Sequence, residues 1–201
     1  MLADALDLGP DTDAVVYGIP RGGVVVAAAV ADALGAPLDP VVVRKLGHPG
    51  HEEAAFGAIG EDGVVMPERL AQLGSEPRLA RVIEPAVEEL RREVEQRVRE
   101  YRGGRPRTSS RGRTAVVIDD GLATGYTFAA ALEVVAQDEP HRLIGAVPVA
   151  AEQGLAVAAE HCDQMRSLLT VPAGTFFAVS LYYERFGQVG DEEVQELLEA
   201  T

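Results

Sequence analysis

The stretch on which the reading of this chain turns runs from Arg113 to Ala131: Arg113-Thr114-Ala115-Val116-Val117-Ile118-Asp119-Asp120-Gly121-Leu122-Ala123-Thr124-Gly125-Tyr126-Thr127-Phe128-Ala129-Ala130-Ala131. The unbroken apolar run Ala115 to Ile118 is what a parallel strand buried on both faces requires, and two carboxylates close it. Asp119 and Asp120 therefore belong at a strand's C-terminal end. Glycines at 121 and 125 and hydroxyls at Thr124 and Thr127 follow, and an alanine-rich helix is expected to begin near Thr127. A strand, a tight loop and a helix N-terminus offer free backbone N–H groups and a favourable helix dipole to an anion. Paired carboxylates one step earlier would repel a bare phosphate but accept hydrogen bonds from sugar hydroxyls. The ligand such an arrangement describes is a ribose 5-phosphate.

A second strand, Gly-rich loop and helix stands upstream. Ala14 to Gly18 is a short apolar strand, Ile19-Pro20-Arg21-Gly22-Gly23 a loop, and Val24 to Leu34 a helix ending at Gly35. The spacing does not fit a dinucleotide fingerprint, because Pro20 occupies the place of the second glycine, and there is no Gly-Lys-Ser/Thr for a P-loop. Pro40 to Arg44 reads as another buried strand, with Arg44 and the chain's single lysine, Lys45, at its end.

The run of acids and Thr-Gly-x-Thr, Asp119-Asp120-Gly121-Leu122-Ala123-Thr124-Gly125-Tyr126-Thr127, resembles the phosphoribosyl pyrophosphate signature of the type I phosphoribosyltransferases. Gly121 departs from the bulkier apolar residue usual there. The resemblance spans about residues 14–172 and implies an α/β, Rossmann-like fold: a mostly parallel five-stranded sheet with helices on both faces. It also implies a single domain over 1–201, with its core at about 14–172, a mobile lid or hairpin at about 46–66 and a small C-terminal hood at about 173–201. The implied reaction is displacement of pyrophosphate from carbon 1 of phosphoribosyl pyrophosphate by a nitrogen nucleophile. Carried over residue by residue, Asp119 and Asp120 would hold the ribose hydroxyls, and Thr124, Gly125 and Thr127, with Ala123 and Tyr126 between and before them, would form the 5-phosphate loop. Arg21, Gly22 and Gly23 would take the pyrophosphate, and Arg44 with Lys45 would help it leave. Mg2+ would be held mainly through substrate and water, with no protein metal site. Ala123 stands where the hypoxanthine-guanine branch has an aspartate near purine N7, which disfavours a 6-oxopurine acceptor using that group.

Composition bounds the alternatives. The 201 residues, 47% of them apolar, suffice for one well-buried domain. A net charge of −14 argues against a nucleic-acid or anionic-membrane partner. No apolar run approaches the ~20 residues of a membrane span, and the first residues lack the pattern of a leader. Together with the resemblance, which implies an enzyme of nucleotide or nucleoside metabolism acting on phosphoribosyl pyrophosphate and a small-molecule acceptor, this leads to the expectation of a cytoplasmic protein, compatible with a homodimer. Cys162, alone, reads as structural.

The remaining stretches serve as frame. Leu46 to Met66, with Gly, Pro and His and little apolar period, reads as an irregular lid containing a hairpin that turns at Glu61-Asp62; His48 and His51 read as solvated. Ser75-Glu76-Pro77 starts a helix through residue 101, kinked or restarted at Pro85, with Glu88/Arg92, Glu93/Arg97 and Glu95/Arg99 spaced as i,i+4 pairs. Gly103 to Arg113 reads as a flexible connector. Strand 143–149, helix 152–161 and strand 165–171 continue the alternation. The tail holds Phe176, Phe177, Tyr182, Tyr183 and Phe186, either as ordinary packing or as a border to the acceptor site, before a closing helix from Asp191 to Ala200. A competing reading is a non-catalytic phosphoribosyl pyrophosphate or nucleotide sensor of the same fold. A two-aspartate phosphatase or a serine hydrolase lacks its required spacing.

Overall fold

The structure, a computed structural model, describes residues 1–9, 11–48, 51–61, 63–65, 77–172 and 174–200, with the backbone only for 47–48, 51–57, 64–65 and 77–83. The elements are α1 (Leu2–Ala5), β1 (Ala14–Gly18), α2 (Gly22–Leu34), β2 (Leu38–Pro40), β3 (Val43–His48), β4 (His51–Gly60), β5 (Gly63–Val65), α3 (Pro77–Arg102), β6 (Thr114–Ile118), α4 (Tyr126–Ala136), β7 (Arg142–Ala151), α5 (Glu152–Ala159), β8 (Gln164–Val171), a 3-10 turn (Val179–Tyr182) and α6 (Asp191–Glu199). Five strands form one parallel sheet, as expected, and their order is β2-β1-β6-β7-β8.

Every residue of β1 and of β6 is buried. Their side chains alternate between two cores, as a pleated strand demands. Val16, Val116, Ile118 and Ile144 face one layer, packed with Val24 and Val30 of α2, Val94 and Tyr101 of α3, and Val194 and Leu198 of α6. Val15, Tyr17, Val117 and Leu143 face the other, with Phe128, Leu132 and Val135 of α4 and Ala158 of α5. Each such aliphatic side chain removed from water contributes about 1.5–3 kcal/mol, so the central pair of strands is the most strongly fixed part of the sheet. Leu2 and Leu6 at the N-terminus are buried in the first of these cores, which gives a segment with no sequence signal a packing role.

Several expectations are corrected. The stretch read as one strand from Pro40 to Arg44 is divided. The sheet strand ends at Pro40, the Val42 N–H is taken by Glu61 Oε1 at 3.2 Å, and β3 begins at Val43 in a separate antiparallel sheet, β3-β4-β5. The described chain at 46–48 and 51–53, read as irregular, is therefore paired strand. Its Gly and His content hid the period because the ladder is interrupted by register shifts on both sides of Gly47. The expected hairpin is found, since Gly60 pairs with Gly63 and Glu61 stands at the turn. Residues 49–50, 62 and 66 and the expected helix start at Ser75-Glu76 lie outside the described residues, as do the side chains of His48 and His51.

The connector Gly103 to Arg113 is pinned rather than flexible. The Arg102 guanidinium, 4% exposed, donates to Asp39 Oδ1 at 2.7 Å, to the Pro40 carbonyl at 2.6 Å and to Glu61 Oε1 at 2.9 Å. Arg107 meets Asp138 at 2.6 Å, and the Thr108 N–H donates to Asp39. Helix α3 passes through Pro85 without restarting. On its surface Glu88/Arg92 and Glu95/Arg99 pair as spaced, but Glu93 turns to Arg44 and Arg97 to Asp191. Among the described residues no helix is long and apolar enough to cross a membrane.

Arg102 ties the small sheet, through Glu61, to the end of β2. Removing one partner of a buried charge cluster leaves the others uncompensated, at a cost of about 3–5 kcal/mol. Arg102→Met should lower the unfolding free energy by that amount in urea titration. A loss below about 1 kcal/mol, the range of surface pairs, would contradict this account of the cluster.

Candidate active site

β1 and β6 are neighbours in register, Gly18 beside Ile118, and the Ile19 N–H donates to the Ile118 carbonyl at 2.9 Å. The chain leaves β1 toward β2 on one side, and β6 lies on the other. This is the switch point of an open α/β sheet, where the two loops diverge and open a crevice at the strands' C-terminal ends. The residues read from the sequence as the two halves of a site converge there. A Cβ built on Gly22 would lie 2.0 Å from Asp120 Oδ2, and one on Gly23 would lie 2.8 Å from the Ile118 carbonyl and 2.9 Å from Asp119 Oδ1. Only glycines permit this approach. Gly23 is buried beneath Asp119, so its contribution is close packing, and it does not face the crevice.

The acids themselves are partly buried. The Asp120 N–H donates to Asp119 Oδ1 at 2.9 Å. Desolvation pushes the Asp119 carboxyl well above its usual range, the Asp120 charge pushes it further, and the Asp120 amide and the Lys45 ammonium oppose the rise. Desolvation also raises Asp120, against the Gly121 N–H and its own amide. Two adjacent carboxylates in one partly dry place thus resist ionising together, and a cation or hydroxyl donors would ease that resistance.

The acids face two cavities. Asp119 lines one of about 160 Å³ with Lys45, Ala123, Thr124, Gly125 and Thr127. Gly125 has φ of 81°, a left-handed conformation that suits glycine, and stands before the first turn of α4. A Cβ on it would lie 2.4 Å from the Gly154 carbonyl, and one on Gly154 would lie 2.5 Å from the Ala123 carbonyl. The loop is therefore locked onto the start of α5 by a pair of glycines, of which only Gly125 was legible in the motif. Tyr126 begins α4 and is not part of this cavity's lining.

Asp120 lines the other cavity, of about 490 Å³, with Arg21, Gly22 and, from the tail, Tyr183, Arg185 and Phe186. The Tyr183 hydroxyl donates to the Asp120 carbonyl at 2.6 Å, and burial, with the two carboxylates nearby, raises its pKa far above the ordinary phenol. Arg21 faces Asp191 of α6 at 3.8 Å. Tyr183, Arg185 and Asp191 escaped a motif-based reading because nothing in their spacing distinguishes them. The aromatic clustering of the tail was the available signal for Tyr183 alone. Arg44 and Lys45 separate, as successive residues of a strand must. Lys45 joins Asp119, whereas Arg44 Nε lies 3.3 Å from Glu93 on α3 and away from the acids. Among the described residues no three His, Cys, Asp or Glu side chains form a metal-binding group.

The sequence model of the phosphoribosyl transferase domain family matches residues 1–183. The chain belongs to the phosphoribosyl transferase family. A Mycobacterium tuberculosis protein provisionally named a phosphoribosyl transferase, found in strains CDC 1551 and H37Rv, is 44% identical over 186 residues. That match covers 92% of this chain and 41% of the relative, so the chain spans about two fifths of the length of the curated relatives. The crystal structure of TT1426 from Thermus thermophilus superimposes with a TM-score of 0.83 at 40% identity, over 98% of this chain and 92% of that one. A Neisseria gonorrhoeae protein solved with bound ppGpp shares the fold at a TM-score of 0.52 and 15% identity, over 99% of this chain and 88% of that one.

The raised Asp119 pKa has a sign in stability. A carboxyl that holds its proton more tightly when folded stabilises the native state below its unfolded pKa, near ~4, and that contribution is lost as pH rises through the folded value. The Asp119→Asn variant, without ligand, should therefore melt above wild type at pH 7.5. The gap should close toward pH 4. Equal melting temperatures at both pH values would show that the pair bears no such cost.

Proposed function

We propose that this family member transfers the 5-phosphoribosyl group of phosphoribosyl pyrophosphate to a nitrogenous base or similar small acceptor and releases pyrophosphate. The observation that carries the reading is that one pair of carboxylates borders two cavities, one over a Thr-Gly-x-Thr helix start and one holding Arg21 and Gly22. A molecule with a phosphate at each end and a diol between them matches that order. The 5-phosphate would accept from the N–H groups and hydroxyls of Thr124, Gly125 and Thr127. The ribose 2′ and 3′ hydroxyls would donate to Asp119 and Asp120, and the diphosphate would meet Arg21 and the Gly22 N–H, while Lys45 stands beside Asp119 on the phosphate-loop side.

In the reaction the C1–O bond to the diphosphate breaks, its electron pair leaving with pyrophosphate, while the acceptor nitrogen's lone pair forms the C1–N bond. Positive charge develops on the ribosyl carbon in between. Asp119 and Asp120, ionised once the hydroxyls are bound, favour that charge, and Arg21 offsets negative charge on the leaving group. The acids suit a magnesium ion that takes most of its ligands from substrate oxygens and water. When bound it would neutralise diphosphate charge. Arg44 could reach the diphosphate only by leaving Glu93, and Lys45 only from the neighbouring cavity, so neither member of the basic pair expected from the sequence stands at the diphosphate here. A cytoplasmic role in nucleotide metabolism belongs to the same reading.

Pyrophosphate release from phosphoribosyl pyrophosphate and magnesium, measured across a panel of bases, tests the proposal. Release that depends on one base supports it. Tight binding with no release for any base would favour the sensor alternative. Two variants divide the labour. Asp120→Asn removes a charge needed most in the transition state, so kcat should fall about 100-fold or more while phosphoribosyl pyrophosphate affinity changes little. Gly125→Val puts a side chain at a left-handed φ and against Gly154, and calorimetry should detect no binding. An Asp120→Asn protein with wild-type turnover would refute the role given to the acids.

A further inference from the structure

The tail contacts the acid pair at two points. A Cβ on Gly121, the position where the family motif usually carries a bulkier residue, would lie 2.8 Å from both Cγ atoms of Val179 and 3.1 Å from Val149 Cγ1. The volume that a side chain at 121 would fill is thus already filled by Val179, which reaches in from the 3-10 turn. Four residues later the Tyr183 hydroxyl holds the Asp120 carbonyl at 2.6 Å. The Gly121 N–H, the amide between these two contacts, is the group that lowers the Asp120 carboxyl pKa most. The segment also packs on itself, with the Phe176 and Tyr182 rings stacked at 5.5 Å and those of Tyr183 and Phe186 tilted at 5.3 Å.

We propose that residues 176–186 act as a positioning element for the acid pair, with Val179 and Tyr183 as positioning residues that set the Asp120-Gly121 peptide, and that Gly121 is the size-complementary seat for Val179. This rests on the phosphoribosyl-transfer reading for its effect on rate, and on the geometry alone for the contact. A methyl group at 121 cannot share the space with both Cγ atoms. Either Val179 leaves, which lifts the tail from the acids and opens the cavity that Tyr183, Arg185 and Phe186 line, or the 120–121 peptide shifts and its N–H leaves the Asp120 carboxylate. Both routes disturb the groups that face developing charge, and neither touches the Thr124-Thr127 loop. Turnover should fall while ground-state binding of phosphoribosyl pyrophosphate holds. Shortening Val179 to alanine removes the clashing atoms and should restore the fit.

The test is a double-mutant cycle of Gly121→Ala and Val179→Ala, with Tyr183→Phe beside it, in the full chain. Tryptic cleavage after the exposed Arg185 reports the tail, calorimetry reports phosphoribosyl pyrophosphate binding with magnesium, and pyrophosphate release reports turnover. Overpacking is expected to make Gly121→Ala cleave about tenfold faster and turn over about tenfold slower than wild type, with affinity within about threefold. The double variant should return both readouts to within about threefold of wild type, and Tyr183→Phe should speed cleavage. A double variant as defective as Gly121→Ala, or a Gly121→Ala tail protected as in wild type, would overturn the proposal. A wild-type protein that binds phosphoribosyl pyrophosphate but releases none with any acceptor overturns the transfer reading instead, and the cleavage rates then decide the contact by themselves.

Discussion

The structure depends on holding two adjacent carboxylates, partly out of water, against a backbone that approaches them as closely as atoms can. Asp119 and Asp120 repel each other and lose solvation, and their raised pKa values record that cost. The surroundings offset it with amides: those of Asp120 and Gly121 face the carboxylates, and Lys45 adds one positive charge. Such an arrangement persists only where the strands beneath it cannot shift. β1 and β6, buried along their whole length in the middle of the sheet, provide that footing.

From this constraint the placement of glycines follows. Gly22 and Gly23 leave room for the carboxylates, Gly125 and Gly154 interlock the loop with α5, and Gly121 leaves room for Val179. The ligand-facing parts divide accordingly. The phosphate loop stands on α4 and α5, which belong to one core, while Arg21 immediately precedes α2, which belongs to the other. The acids sit at the seam between the two layers. The small antiparallel sheet is attached to the end of β2 through Arg102 and Glu61, and it delivers Lys45 to Asp119 from outside the main sheet.

What could be read from the sequence was what is local in the chain. The strand-acid-loop-helix run of 113–131 and the Arg21-Gly22-Gly23 loop are contiguous, and their periodicity switches where the elements switch. The parallel alternation from 142 onward is legible for the same reason. What escaped depends on contacts between distant positions. Whether Arg44 faces the acids or Glu93 is decided by one step of strand register. The seat of Val179 on Gly121 joins residues far apart in the chain, so Gly121 looked only like a departure from a motif. The connector 103–113 looked flexible because its Gly, Pro and Arg content is that of a loop, and its pinning depends on Asp39, Glu61 and Asp138 from other parts of the chain.

The central claim is that the acid pair binds the ribose diol between a phosphate on the Thr124-Thr127 side and a diphosphate on the Arg21 side. A crystal structure of the chain with phosphoribosyl pyrophosphate and magnesium tests it most directly. The account predicts the 5-phosphate against the N–H groups of residues 124–127, the two ribose hydroxyls within hydrogen-bonding distance of Asp119 and Asp120, and the diphosphate at Arg21 and Gly22. A ligand with its phosphates reversed, or bound with its sugar remote from both carboxylates, would contradict it.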